Sequence, residues 1–172
     1  MLSLYDVTVP VFIRSLKNLD AFLAKGGEWF AEQGRPESEL TGARLIEDMH
    51  PFTAQIQRAS DTAKGVVARL TGAEVPGMPD EEGTIADLRA RIAKTIAVLE
   101  SARREDFDGT EDKPIEIWTP KAALLFNGKS YIFEFAIPNF FFHVTAAYAL
   151  LRKEGVPLGK VDYIGSIETR PH

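Results

Sequence analysis

Residues 137–155 read IPNFFFHVTAAYALLRKEG, and this stretch decides the fold. It is apolar on nearly all sides, Pro138 or Asn139 opens it, and Gly155 ends it. A helix that is apolar all round is covered on all sides by its neighbours. We therefore expect residues 138–154 to form the most buried helix of a helical protein.

Three segments upstream carry apolar residues at the three- and four-residue spacing of an amphipathic helix. The clearest covers residues 84–103, where Thr84 and Asp87 fit a capping box and Asp87 precedes Arg91 by one turn. Residues 49–71 form another, and the remaining helix lies near the N-terminus.

The start of the N-terminal helix has two alternatives. Ser3 followed by Asp6 fits a capping box, which predicts a helix over residues 3–24 with Pro10 inside it. A start at Thr8 instead places Pro10 in the first turn, where proline is tolerated. We favour the earlier start.

Between the last two helices the sequence predicts a β-hairpin over residues 124–135. Its arms are Leu124-Leu125-Phe126 and residues 129–135, and the Asn127-Gly128 dipeptide between them suits a type I′ turn. Four helices in a chain of this size most simply form a four-helix bundle. We predict a mainly α fold, a four-helix bundle with a small hairpin before the last helix, in a single domain over residues 1–172.

Composition excludes several classes of protein. The chain has 172 residues, 45% hydrophobic and 26% charged, as in ordinary globular proteins. The absence of Cys excludes a disulfide framework, a thiolate zinc site and a Cys nucleophile. A net charge of −5 disfavours nucleic acid and anionic membranes as partners. No signal peptide and no apolar window of about 18 residues is evident, so we expect a cytoplasmic protein.

Four segments resemble a family of domains of unknown function that is grouped with the DinB/YfiT-like four-helix bundles. They are SLYDVTVPVFIRSLKNLDAFL (3–23), ASDTAKGVVARLTG (59–72), TIADLRARIAKTIAVLES (84–101) and above all PNFFFHVTAAYALLRKEGVPLGKVDYIG (138–165). The resemblance spans nearly the whole chain. It implies the bundle fold and no particular reaction, because the family has no assigned activity.

The wider superfamily is often described as one of metalloenzymes, and the resemblance implies a site of three His. One ligand comes from the second helix and two, four residues apart, from a later helix. His143 matches one of these, but Ala147 and Asn139, four residues to either side, do not supply the second. The other His residues are His50, before the second helix, and His172 at the C-terminus. We therefore expect no metal; if one binds, its ligands include His143 and His50.

His143 is the candidate catalytic residue, because an imidazole inside a bundle can act as a ligand or a general base. The alternative is a buried His with one structural hydrogen-bond partner. Asp61 and Lys64, on the polar side of the second helix, are candidate binding residues, or else part of a solvated face or dimer rim. Tyr148 is a further candidate, for which packing is the alternative.

Two functions stay open. The first is a soluble DinB-like protein whose inter-helix pocket near His143 binds a small molecule without a cofactor. The second is a metal-dependent enzyme of the superfamily, of thiol-dependent transferase or isomerase type, using His143 and His50 with a divalent transition metal. A metal-free enzyme with His143 as base has no identifiable nucleophile. The missing third ligand favours the first function.

We also expect a homodimer with two-fold symmetry. The run Phe140 to Phe142 and the aromatic hairpin supply more apolar surface than one bundle core needs.

Overall fold

A computed structural model of the chain describes residues 2–168. The elements are helices α1 to α7 and strands β1 and β2. They are, in chain order, α1 Val9–Glu32, α2 Glu37–Thr41, α3 Phe52–Thr71, α4 Ile85–Ser101, β1 Pro114–Trp118, β2 Ala123–Asn127, α5 Gly128–Ser130, α6 Ile137–Lys153 and α7 Lys160–Ile164. A π-helical stretch, Tyr131–Ala136, joins α5 to α6.

The four long helices, α1, α3, α4 and α6, form the predicted bundle. The most extensive packing is between α3 and α6, followed by that of α4 on α3 and on α1. Buried apolar side chains from all four helices form one core, and Phe12 stacks on Phe140 with ring centroids 4.2 Å apart. None of the helices within residues 2–168 is long and apolar enough to span a membrane.

The ends of α3 and α4 follow the local signals. Thr84 Oγ1 accepts a hydrogen bond from the Asp87 amide at 3.1 Å, and the Asp87 carboxylate accepts one from the Thr84 amide at 3.0 Å. This is the predicted capping box. Gly72 ends α3 with a φ of 77°, a left-handed conformation that favours glycine.

The favoured early start of α1 is wrong, because the helix begins after Thr8 with Pro10 in its first turn. Ser3 and Asp6 do exchange backbone-to-side-chain hydrogen bonds, but around a separate turn. A proline has no N–H for the helical hydrogen bond, so the chain turns first and begins α1 where Pro10 is tolerated. The helix continues beyond residue 24 to Glu32.

The predicted hairpin is displaced along the chain. β1 pairs with β2 in antiparallel register, with Ile115 opposite Phe126. Residues 129–135, the expected second arm, are helical. Asn127 acts as an N-cap, because its Oδ1 accepts a hydrogen bond from the Ser130 amide at 2.8 Å. The fold class is nevertheless as predicted: mainly α, with a small two-stranded hairpin before the last helices.

Gly128 offers a test of this junction, because a Cβ there would lie 1.9 Å from the backbone oxygen of Thr110. We expect Gly128→Ala to lower the free energy of unfolding by roughly 2 kcal/mol, the cost of forcing an atom into a packed site, as measured by urea denaturation. Gly77→Ala is the control, because a Cβ there meets nothing within 4 Å. Equal stability of the two variants would contradict this packing.

Candidate functional site

His143 lies in the seam between α6 and α3, with its side chain 7% exposed. Its Nδ1 is 2.8 Å from Oε1 of Gln55, which is buried on α3. The ring of Phe142 packs edge-on against the imidazole, with centroids 5.1 Å apart. The imidazole is therefore held by a hydrogen bond on one side and an aromatic ring on another.

The hydrogen bonds of Gln55 define the protonation of the imidazole. Gln55 Nε2 donates to the backbone carbonyl of His50 at 2.9 Å, and a carbonyl can only accept. The amide oxygen of Gln55 therefore faces His143, so Nδ1 carries the hydrogen and donates it. In the neutral ring Nε2 is then the unprotonated nitrogen, with a lone pair available to a partner.

The pKa of His143 is lowered from 6.5 to about 4, chiefly by burial and to a smaller extent by the neighbouring Arg58 and His50. The ring is therefore neutral at pH 7. Within residues 2–168, the imidazole forms its hydrogen bond at Nδ1 and none at Nε2. Nor is Nε2 among the fully buried side-chain atoms that lack a partner, so it is reached by solvent.

The residues around His143 do not fit the three-His metal site that the superfamily implies. Among residues 2–168 there is no group of three or more His, Asp or Glu side chains that could hold a metal. Ala147 is buried in the core, and the Asn139 amide donates to Thr62 Oγ1 at 2.7 Å. The residue His50 is exposed, and its backbone carbonyl accepts the hydrogen bond from Gln55 Nε2. His172 lies outside the described residues.

Asp61 and Lys64 are brought together, 3.0 Å apart, and the Asp61 carboxylate also pairs with Arg91 on α4. Arg91 is 2% exposed, and its guanidinium contacts the carboxylates of Asp61, Asp80 and Glu82 at 2.9 to 3.0 Å. The expected pairing of Arg91 with Asp87 is not formed, because the Asp87 carboxylate caps α4.

A cleft of about 830 Å³ lies between α4 and the loop that precedes it, in residues 76–82. Arg91 is among its lining residues, and His143 is not. The predicted pocket near His143 is therefore distinct from this cleft and stays a prediction.

Tyr148 is half-buried, and its ring packs edge-on against Phe22 and Tyr163 at centroid distances of 6.1 and 5.7 Å. Tyr163 in turn forms a 2.8 Å hydrogen bond with Thr145 through its hydroxyl. These contacts join α7 to α1 and α6 and do not include His143.

Comparison with known proteins agrees with this fold. A profile of the family described as domain of unknown function (DUF1993) matches residues 4–164. The crystal structure of a DinB family member protein from Shewanella denitrificans superposes with a TM-score of 0.88 and 38% sequence identity. That match covers 98% of this chain and 96% of the other. A search of the curated proteins finds no match. The chain therefore belongs to the DUF1993 family, among the DinB-like helical proteins.

Proposed function

We propose that this protein binds a small anionic molecule at the seam between α3 and α6, through an O–H or N–H group of the ligand. The observation that carries this proposal is the unprotonated, solvent-reached Nε2 of His143, held in its tautomer by Gln55. A lone pair of this kind accepts a hydrogen bond from a ligand donor.

The charge of the ligand follows from the surroundings of the imidazole. Arg58, one of the neighbours that lower the pKa of His143, carries a permanent positive charge. Arg58 is exposed and has no carboxylate partner within residues 2–168. A positive field attracts an anion and disfavours a metal cation. Phe142, 55% exposed beside the ring, offers an apolar surface for the ligand body.

The probe 4-hydroxybenzoate combines these features, with a phenol donor, a carboxylate and a ring. We expect it to shift the NMR resonances of the His143 ring and the Gln55 side-chain amide saturably. Benzoate, which lacks the phenol donor, should bind about five-fold more weakly, the equivalent of one hydrogen bond. Arg58→Ala should weaken both ligands, whereas Lys121→Ala, an exposed cation on the hairpin turn, should not. Absence of shifts at His143 would contradict the proposal.

The alternative is a metal-dependent enzyme that uses His143 and His50. It predicts the opposite preference in the same experiment: Zn²⁺ alone would shift the His143 resonances at one equivalent per chain. If Zn²⁺ shifted these resonances and 4-hydroxybenzoate did not, the metal-dependent enzyme would be favoured and our proposal would be wrong.

We further propose that the protein is a homodimer, with the outer face of the hairpin in the interface. Of the run Phe140 to Phe142, Phe140 is fully buried and only Phe142 is exposed. The larger apolar surface is on the hairpin, where Trp118 and Leu125 are 77% and 75% exposed. Leu125 is paired with Glu116, so these two side chains share a face of the hairpin. Trp118 lies two residues after Glu116 on β1 and therefore lies on that same face.

Light scattering at micromolar concentration should give twice the chain mass of 19.1 kDa. Trp118→Ser with Leu125→Ser should give the monomer, because the exposed apolar face is removed. Val161→Ser, at an equally exposed apolar residue on α7, is the control and should leave the dimer intact. A wild-type mass of 19.1 kDa would contradict the dimer.

A further inference from the structure

We propose that the loop of residues 73–83 is a displaceable cover over a second ligand site, between α3 and α4, which takes a carboxylate in place of the Glu82 side chain. Glu82 acts there as an internal ligand, and a carboxylic acid with an apolar body competes with it for the same two donors. The site is separate from the one at His143.

Glu82 is bound as a carboxylate ligand would be. Its Oε1 accepts a hydrogen bond from Nη1 of Arg91 at 2.9 Å, and its Oε2 accepts one from Nε2 of Gln57 at 2.8 Å. Burial by itself raises the pKa of the Glu82 carboxyl, but these hydrogen bonds bring it below its ordinary value of 4.5, so the group is ionised at pH 7. Both donors are buried on long helices of the bundle, so they stay in place when the loop moves.

The loop that carries Glu82 is weakly held. Within residues 2–168, none of the residues from 73 to 83 forms a backbone-to-backbone hydrogen bond. The ionic contacts of the loop converge on Arg91, which also contacts the Asp80 carboxylate at 3.0 Å and the Pro79 carbonyl at 3.1 Å. A segment with so few backbone hydrogen bonds opens at a lower free energy than the helices beneath it.

The surface under the loop is polar, which lowers the cost of opening. Besides the two donors it includes Ser60 and Thr95, whose buried hydroxyls are 2.6 Å apart. These hydroxyls contact the sulfur of Met78, at 3.8 and 3.9 Å. Water solvates such groups when the loop leaves, and this offsets the lost contacts.

The charges that remain on the helices favour an anion. When the loop leaves, the carboxylates of Asp80 and Glu82 leave with it. Arg91 and Lys64 then share one carboxylate, that of Asp61, which they contact at 2.9 and 3.0 Å. Two cations face one anion, so a carboxylate ligand restores the balance.

The cleft beside Glu82 accommodates the body of the ligand. Glu82 is one of the residues that line this cleft of about 830 Å³, so a head group in the place of its carboxylate leads into it. The α4 side of the cleft includes Ala97 and Val98, which offer apolar contact and do not move with the loop. Lys94 lies on the same side and adds a positive charge.

Hexanoate and hexanamide test this site, because they share one alkyl chain and only hexanoate has a carboxylate. In the Glu82→Ala protein the site is vacated, and we expect hexanoate to shift the side-chain amide resonances of Gln57 saturably in NMR spectra. Hexanamide should leave them unchanged. The wild type should show the same shifts with an affinity lower by about tenfold or more, because the ligand must first displace Glu82. The resonances of His143 report any separate binding at the α3–α6 seam.

Glu81→Ala is the matched control. It removes the same charge from the neighbouring residue, which is exposed and is not among the carboxylates that contact Arg91. Its affinity for hexanoate should equal that of the wild type. If Glu82→Ala does not fold, Glu82→Gln removes the charge with a smaller change of shape. The proposal is overturned by an absence of Gln57 shifts in the Glu82 variant or in the wild type up to the solubility of hexanoate, by equal shifts with hexanamide, or by an equal gain of affinity in Glu81→Ala.

Discussion

The packing of α6 on α3 is the constraint on which the site depends. Two hydrogen bonds cross this seam, from Asn139 to Thr62 and from His143 to Gln55. His143 follows Asn139 on α6, whereas its partner Gln55 precedes Thr62 on α3, so the two helices run antiparallel. Because a polar group buried in the seam must find its partner, these bonds fix the register of the most extensive helix pair of the fold.

The same constraint determines the chemistry of His143. Gln55 is tied at one end to the carbonyl of His50 and at the other to the imidazole, so the tautomer is set by the backbone at the start of α3. The lone pair on Nε2 and the positive charge of Arg58 together favour an anionic ligand with a donor group. This chain thus has the helical fold of its family, with His143 paired to a buried amide in the seam between α3 and α6.

How much the sequence revealed depends on how local each signal is. The cap at Thr84 and the end of α3 at Gly72 were predictable, since both depend on a few adjacent residues. The Asn127-Gly128 signal was misleading, because asparagine suits an N-cap as well as a turn. In the same way, the Ser3 signal formed its hydrogen bonds without starting α1. The fold class was still predicted correctly, because it depends on the apolar faces of the four long helices.

Neither Gln55 nor the partners of Arg91 were identified from the sequence. Gln55 could have been noticed, because it lies beside Phe52, Ile56 and Ala59 on the apolar stripe of α3, where a polar residue needs a buried partner. The partners of Arg91 could not, because Asp61 is thirty residues away on another helix and the contact exists only in the folded bundle. Local pairing rules instead favoured Asp87, whose carboxylate caps the helix.

The protonation of His143 tests this account most directly, through an NMR titration of its ring with long-range proton–nitrogen spectra. We predict a pKa of about 4, with the hydrogen of the neutral ring on Nδ1. Because this pKa lies below the ordinary value of 6.5, the neutral ring contributes its full stability above pH 6.5 and loses it as the pH falls towards 4. A pKa of 6.5 or higher, or a hydrogen on Nε2 at pH 7, would contradict the account.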